Sequence, residues 1–460
     1  MSNFSIRYHL YRFCPAALKP FWDRIESSAI GSRLARGAFW SLMGGVVSRG
    51  LMLLASILIA RILGREIYGE YGMIRSTAQM FLVFAGFGLG MTATKHVAQF
   101  RTVDPQRAGR IMALSGLFAF VSGLLIALLL IAVAPWVAAK TINAPHLAGE
   151  LRIGAVILLL SAMNGAQTGA LAGFEAFKTI AIVNFKVALL SFPFLVAGAY
   201  FYGLRGAIWA LGLNMAINWL FNHLALRRTA AQNRILFTLK NCFQEWPILW
   251  KFSFPAALSG IMVSPVLWAC NAMLVNHPGG YAQMGLFDAA NQWRAAILFL
   301  PGMVGTIALP MLSDFDSRKD QHGYMKALKY NALLNGTAAM IIAVPIAILS
   351  RWIMQLYGPG FREGSLTLCI LSLTTVLISL NSIVGQAITS KGKMWIGFSF
   401  NLFWAIVLLI SAALTTRQGY GANGLAVSML FSYLCHSIWQ ALYMNTLVGY
   451  PCQNANQQKR

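Results

Sequence analysis

The chain has 460 residues, of which 58% are hydrophobic and only 11% are charged, and its formal net charge is +23. Because a soluble domain carries about a quarter charged residues, this composition excludes a water-soluble globular fold. The basic residues lie mainly in short segments between apolar runs, a pattern that encodes membrane topology and argues against a nucleic-acid partner.

Residues 1–36 precede the first apolar run and interleave aromatic with basic side chains, as in Tyr8 beside Arg7 and Phe13 beside Arg12. The order of charge, apolar core and small cleavage-site residues that marks a signal peptide is absent. We therefore predict a retained amphipathic segment that lies on the cytoplasmic membrane surface.

About twelve segments that follow are long and apolar enough to cross a hydrocarbon core about 30 Å thick. Lys and Arg are concentrated in the connections that lie on the same side of the membrane as the N-terminus, which predicts that this side is cytoplasmic. Because the number of spans is even, both termini are predicted to be cytoplasmic. The predicted spans are 38–61, 71–96, 111–133, 152–173, 179–202, 206–226, 252–274, 284–310, 327–350, 366–388, 394–415 and 423–446.

A polar segment at 227–251 divides the spans into an N-terminal lobe, 37–226, and a C-terminal lobe, 252–448, which a cytoplasmic tail, 449–460, follows. The two lobes contain a weak internal repeat. Tyr68-Gly-Glu-Tyr-Gly72 resembles Tyr281-Ala-Gln-Met-Gly285, and Asn164 corresponds to Asn381 at a similar spacing. Because each copy has six spans, the copies have the same orientation, and we predict an all-α membrane fold with a pseudo-twofold axis along the membrane normal and a central cavity.

Ionisable residues inside the predicted spans are candidate substrate-binding residues, because each costs about 2.5–3.5 kcal/mol at mid-bilayer. Arg49 and Arg294 lie deepest, and we expect them to face the cavity. Lys186 could face the cavity or reach the cytoplasmic interface. Arg75 and Asp288 occupy equivalent repeat positions, so they form either a salt bridge between the lobes or a direct contact with substrate. A further alternative is that Arg75 reaches the external headgroups.

The excess of embedded cations predicts an anionic substrate, since Arg binds phosphate oxygens through two parallel hydrogen bonds. Asn164 and Asn381 are candidate ligands of sugar hydroxyls, and the alternative is that they hold helices together.

Sequence motifs for catalysis are missing from the chain. It contains no GxxxxGK[ST], HExxH or GxSxG pattern and no CxxC pair, and its predicted loops are short. We therefore predict a protein that is not an enzyme and that has no cofactor and no metal site.

Four motifs resemble the N-terminal signature of the polysaccharide-transporter family, the Wzx-type oligosaccharide flippases of the MOP superfamily. They are Arg36-Gly-Ala-Phe-Trp-Ser41, Ile59-Ala-Arg-Ile-Leu-Gly64, Tyr68-Gly-Glu-Tyr-Gly72 and Phe84-Ala-Gly-Phe-Gly-Leu-Gly90. The resemblance implies a MATE-like fold in the bacterial inner membrane. It also implies that Arg49 and Arg75 match the cationic residues that the family carries on its N-terminal lobe.

The same resemblance implies the substrate: an undecaprenyl-pyrophosphate-linked oligosaccharide, such as an O-antigen or exopolysaccharide repeat unit. This lipid would move from the cytoplasmic to the periplasmic leaflet by alternating access. Membrane lipids are implied partners, and a polysaccharide polymerase and a chain-length regulator are further candidates. Two alternatives stay open: a MATE-type multidrug or metabolite antiporter, and a non-transporting membrane component of a polysaccharide-assembly complex.

Overall fold

The computed structural model describes residues 29–86, 88–249, 253 and 261–449. Most of the predicted interfacial segment, residues 1–28, and the tail 450–460 lie outside the described residues. Residues 29–36 belong to the first helix, which begins at Ala29.

The described residues are almost entirely helical and contain no β-strand. A π-helix at Val137–Thr141 and 3₁₀ helices at Pro145–Leu147, Cys242–Glu245 and Pro359–Gly364 lie between the longer elements. The α-helices are α1 Ala29–Gly86, α2 Leu89–Phe100, α3 Pro105–Trp136, α4 Ala148–Gly173, α5 Phe177–Gln232, α6 Trp246–Ile248, α7 Val263–Val275, α8 Gly280–Ile297, α9 Phe299–Ser317, α10 Gln321–Ile348, α11 Ser350–Leu356, α12 Ser365–Ser390, α13 Met394–Arg417 and α14 Gly421–Gly449.

Two glycines fold the longest helices back on themselves. α1 has 58 residues, which would span about 87 Å if straight, far more than a bilayer about 30 Å thick. Gly64 breaks α1 with φ 76°, and Gly203 breaks α5 with φ 57°, a backbone region that glycine adopts without steric cost. The Ser56 and Tyr68 hydroxyls then meet at 2.6 Å, so the two arms of α1 lie side by side.

Eight helices of the described chain are long and apolar enough to cross a membrane. The bent helices α1 and α5 each count once among them, and α7 is apolar but shorter. The predicted span 284–310 corresponds to α8 and α9, which meet at a break at Leu298. The chain is therefore a multi-pass helical membrane protein.

Three predicted boundaries differ from the structure. The second span is interrupted at Gly88, whose φ is 65°. α5 continues to Gln232, so Arg227 and Arg228 are helical and do not lie in a loop. The segment that joins the lobes also contains helical turns at 242–248. Charged residues suggested a loop there because sequence alone does not distinguish a helix that continues into water from an irregular connection.

The repeat is visible in matching contacts within each lobe. Asn164 on α4 donates to the backbone oxygen of Met215 on α5, with an N···O distance of 3.1 Å. Asn381 on α12 accepts from the Ser437 hydroxyl on α14 at 3.0 Å. Each asparagine thus joins the fourth crossing of its lobe to the sixth.

The lobes pack together at the end of the bundle that contains Gly64, hereafter the Gly64 end. Arg65 forms a salt bridge of 2.8 Å with Glu363, and the Tyr281 hydroxyl donates to the backbone oxygen of Ile142 at 2.8 Å. A Cβ atom added to Gly69 would lie 1.9 Å from the Tyr281 backbone oxygen. The lobes are therefore in close contact at the end that loop charges predict to be periplasmic.

Candidate functional site: three arginines along α8

One face of α8 carries hydrogen-bond acceptors for three arginines that lie in predicted membrane spans. Asp288, Asn291, Gln292 and Ala295 follow one another at the spacing that places residues on the same side of an α-helix. Their side-chain or backbone oxygens contact Arg49 and Arg75 of the N-terminal lobe and Arg294 of α8 itself, as described below. Three guanidinium groups therefore lie in a line along α8 at the interface between the lobes.

Arg75 lies on the second arm of α1 and contacts Asp288 across the interface. Its Nη1 atom is 3.5 Å from Asp288 Oδ2. The Gln292 carboxamide, oriented with its oxygen towards Arg75, accepts from Nη1 at 2.6 Å and from Nη2 at 2.9 Å. The guanidinium carbon also lies 5.5 Å from the centre of the Tyr71 ring. Arg75 is thus fixed by several groups besides the carboxylate.

Arg294 is half-buried and is held by a neutral partner. Its Nε atom donates to Asn291 Oδ1 at 2.6 Å. Among the described residues it forms no salt bridge. A guanidinium group has five N–H donors, and this hydrogen bond uses one of them. Arg294 therefore retains donors for a further acceptor.

Arg49 lies on the first arm of α1 and contacts the end of α8 and the start of α9. These contacts follow Arg294 in the chain, whereas Asp288 precedes it. Nη1 donates to the Ala295 backbone oxygen at 3.0 Å, and the guanidinium carbon lies 4.2 Å from the centre of the Phe299 ring. A Cβ atom on Gly45 would overlap the Phe299 ring, so this glycine provides the space for the ring. Arg49 and Gly45 of one lobe and Ala295 and Phe299 of the other thus form a second contact between the lobes.

Two cavities adjoin this line of arginines. The inter-lobe cavity has a volume of about 250 Å³, and Arg75, Asp288, Asn291 and Arg294 contribute to its wall. The N-lobe cavity has a volume of about 290 Å³ and a largely apolar wall. Arg75 and Gln79 line both cavities, so the two volumes adjoin at the Arg75 side chain.

Hydrogen bonds between α1 and α7 close one side of the inter-lobe cavity. Trp268 Nε1 donates to the Thr77 hydroxyl at 3.0 Å, and Asn271 Nδ2 donates to the Ser76 hydroxyl at 2.9 Å. Polar groups that would be costly in lipid are therefore paired across the lobes.

Of the predicted site residues, Arg75, Asp288 and Arg294 line the inter-lobe cavity. Arg49, expected from the sequence to face the cavity, contacts the same helix face but is exposed and lines neither cavity. Lys186 also lines neither: its side chain is exposed on a helix face that it shares with the exposed Ile182 and Leu190.

Asn164 and Asn381 do not line the cavities either, because they are buried in the contacts within each lobe. Both residues are thus placed as in the alternative in which they hold helices together.

Sequence reasoning missed Asn291, Gln292 and Phe299. The signal for the first two was present: both lie at helical spacing from Asp288, so they extend a polar stripe along a predicted membrane span. The sequence contained no signal for Phe299, because its contact with Arg49 depends on Gly45, which faces the ring from the other lobe.

The charged residues that line the inter-lobe cavity are Arg75, Arg294 and Asp288, so the wall carries one more positive than negative charge. Two guanidinium groups in a half-buried cavity form strong hydrogen bonds with an anion, because bulk water screens such charges poorly there. The charge of this wall therefore suits an anionic ligand.

The family model described as "Polysaccharide biosynthesis protein" matches residues 34–316 of the chain. The chain belongs to this family. It is 27% identical over 417 residues to the EPS I polysaccharide export inner membrane protein EpsE of Ralstonia nicotianae, with 89% of this chain and 93% of EpsE covered.

Solved structures of the MOP superfamily share the fold. An inward-facing multidrug resistance MATE transporter superposes with a TM-score of 0.75 at 15% identity, covering 90% of this chain and 100% of that one. A MOP superfamily transporter from Pyrococcus furiosus, whose binding pocket is described as reversed in polarity, has a TM-score of 0.68 at 14% identity, covering 91% and 95%. The comparisons thus show that the chain belongs to the polysaccharide biosynthesis family and that it shares its fold with transporters of the MOP superfamily.

Proposed function

We propose that the protein is a flippase for an undecaprenyl-pyrophosphate-linked oligosaccharide, which it moves from the cytoplasmic to the periplasmic leaflet of the bacterial inner membrane. The observation that carries the proposal is Arg294: a guanidinium group that lines the inter-lobe cavity and forms no salt bridge among the described residues. A diphosphate supplies the missing negative charge.

The two cavities suit the parts of such a substrate. The diphosphate would occupy the inter-lobe cavity between Arg75 and Arg294, both of which contribute to its wall. The first sugar would extend past Arg75 into the N-lobe cavity, where Ser161 and Asn214 supply hydrogen-bonding groups. The lipid tail would stay in the bilayer between the lobes.

Alternating access would use the packed Gly64 end as one gate. In the conformation described, Arg65–Glu363 and the Gly69–Tyr281 contact hold this end together, and separation of the lobes there would release the substrate. With both termini cytoplasmic, as the loop charges predict, release would be periplasmic. The proposed lobes are 37–226 and 252–448, joined by the segment 227–251.

The test is export of repeat units in cells that lack the gene and carry a plasmid-borne variant. Replacing Arg294 by Gln should reduce export at least tenfold, because a charge-assisted hydrogen bond to phosphate contributes roughly 1.5–3 kcal/mol. Replacing it by Lys should give an intermediate rate, since the charge stays but the paired geometry is lost. Surface glycan and lipid-linked repeat units in membrane extracts report the rate.

Arg318→Gln is the matched control, because the Arg318 side chain is 71% exposed and, among the described residues, its one ion pair is with Asp314 four residues earlier. Its export should equal that of the wild type at equal membrane abundance. Normal glycan in Arg294→Gln cells would defeat the proposal. Drug sensitivity with unchanged glycan would indicate a multidrug antiporter instead.

A further inference from the structure

The contact between Arg75 and Asp288 joins the two lobes inside the proposed anion site. The 3.5 Å that separates Arg75 Nη1 from Asp288 Oδ2 is longer than the roughly 2.7–2.9 Å of a strong charge-assisted hydrogen bond. Asp288 is only 7% exposed, and it is the one carboxylate among the described residues that line the inter-lobe cavity. The Asp288 carboxylate is thus an anion of the protein itself that lies where an anionic ligand would contact Arg75.

Arg75 does not depend on Asp288 for its position. The Gln292 oxygen accepts from both terminal nitrogens of the guanidinium group, at 2.6 and 2.9 Å, and the Tyr71 ring lies beside it. If the carboxylate withdraws, these neutral groups keep Arg75 in place. An entering anion therefore meets a donor whose orientation is already set.

The position of Asp288 couples this contact to the packing of the lobes. It lies one helical turn from Gly285, where a Cβ atom would be 2.0 Å from the Arg65 backbone oxygen. On the facing helix, a Cβ atom on Gly72 would be 3.0 Å from Asp288 Cβ. A movement of Asp288 away from Arg75 therefore occurs within the tightest crossing of the two lobes.

The remaining ion pair at this crossing is weak. Arg65 and Glu363 have side chains that are 41% and 68% exposed, and exposed pairs contribute about 0–1 kcal/mol. The pair of Arg75 with Asp288, whose side chains are 36% and 10% exposed, is thus less screened by solvent than that of Arg65 with Glu363.

We propose that Asp288 is a built-in counter-ion, that a diphosphate displaces it from Arg75, and that this exchange loosens the lobe contact at the Gly64 end. The inference rests on the proposed function, since it takes the diphosphate of the substrate as the competing anion. The negative charges of the diphosphate satisfy Arg75 and Arg294 and repel the nearby carboxylate. Substrate binding itself then releases the gate through which the substrate leaves.

Binding and opening can be measured separately on the full-length protein in detergent. Inorganic pyrophosphate is the probe, and its affinity is measured by calorimetry. Opening is measured as the distance between spin labels at Ile62 and Leu356, after the native cysteines are replaced by serine. These two residues are 37% and 49% exposed, lie in different lobes at the Gly64 end, and line neither cavity.

Opposite effects on binding identify a counter-ion. Asp288→Asn should raise pyrophosphate affinity roughly tenfold and lengthen the distance without ligand, as reciprocal coupling between opening and binding requires. Arg75→Gln should also lengthen the distance, but it should lower the affinity at least tenfold. A merely structural salt bridge would give the same sign for both variants. Glu363→Gln, the matched control, should change affinity by less than about twofold.

An affinity that is unchanged or weaker in Asp288→Asn would overturn the inference. So would the absence of pyrophosphate binding by the wild type, or a wild-type distance that saturating pyrophosphate leaves unaltered. If the exchange is observed while Arg294→Gln cells export normally, the counter-ion stands and the flippase proposal falls. If export depends on Arg294 while Asp288→Asn changes neither quantity, the flippase stands and the counter-ion falls.

Discussion

Gly69 and Gly285 cross backbone to backbone between the two lobes. A Cβ atom on Gly69 would lie 1.9 Å from the Tyr281 oxygen, and one on Gly285 would lie 2.0 Å from the Arg65 oxygen. Both glycines belong to the repeated motifs that the sequence comparison pairs, Tyr68–Gly72 and Tyr281–Gly285. The repeated motifs thus provide one of the contacts between the lobes.

Replacing Gly69 by Ala should therefore favour the conformation that is open at the Gly64 end. Overpacking a tight contact costs roughly 1–3 kcal/mol, which corresponds to a five- to 150-fold change in the ratio of closed to open protein. The spin-label distance between Ile62 and Leu356 measures this ratio.

Gly165→Ala is the control for that substitution, because Gly165 is also helical and a Cβ atom there meets nothing within 4 Å. It should leave the distance unchanged. An unchanged distance in Gly69→Ala as well would show that this crossing does not set the closed state.

Asn164→Ala and Asn381→Ala should lower thermal stability without reducing export. Each removes one hydrogen bond between helices, worth on average about 0.6 kcal/mol and at most about 1.7 kcal/mol in a membrane protein. The measurements are the melting temperature in detergent and the glycan level in cells. Lost export at an unchanged melting temperature would instead place these residues on the substrate path.

Lys186→Gln should leave pyrophosphate affinity within about twofold of wild type, since a charge that is exposed and lies outside both cavities interacts weakly with a ligand inside them. Arg294→Gln, measured by the same calorimetry, should reduce the affinity at least tenfold. Equal losses in the two variants would mean that total positive charge, and not the cavity wall, determines binding.

The segment between the lobes is attached to the N-terminal lobe through Glu245. This carboxylate is 5% exposed and accepts from Arg107 Nε at 3.0 Å and from Arg110 Nη2 at 3.1 Å. Glu245→Gln should destabilise the attachment by about 1.5–3 kcal/mol, which limited proteolysis of residues 233–249 would report as faster cleavage. Asp314→Asn removes an exposed ion pair, that with Arg318, and should leave the cleavage rate unaltered.

Composition and spacing alone determined the membrane class, the approximate spans and the repeat. Lipid offers no hydrogen bonds to the backbone, so a chain this apolar has few alternatives to membrane-spanning helices. Arg75 and Asp288 could likewise be paired from sequence, because the repeat relates their positions. The helical state of Arg227 and Arg228, which continue α5, could not be predicted from the sequence.

Only the tertiary structure decided which polar residues meet. Arg49, Arg75 and Arg294 come from three separate segments, and their common partner is one face of α8. Lys186 is as costly to embed as they are, yet it lies on an exposed apolar face. The cost of burying a charge can be read from one residue, but its compensation depends on the atoms that surround it in the folded chain. For Arg294 these include Asn291 on its own helix, whereas for Arg49 and Arg75 they belong to α8, which only the docking of the two lobes brings within hydrogen-bonding distance.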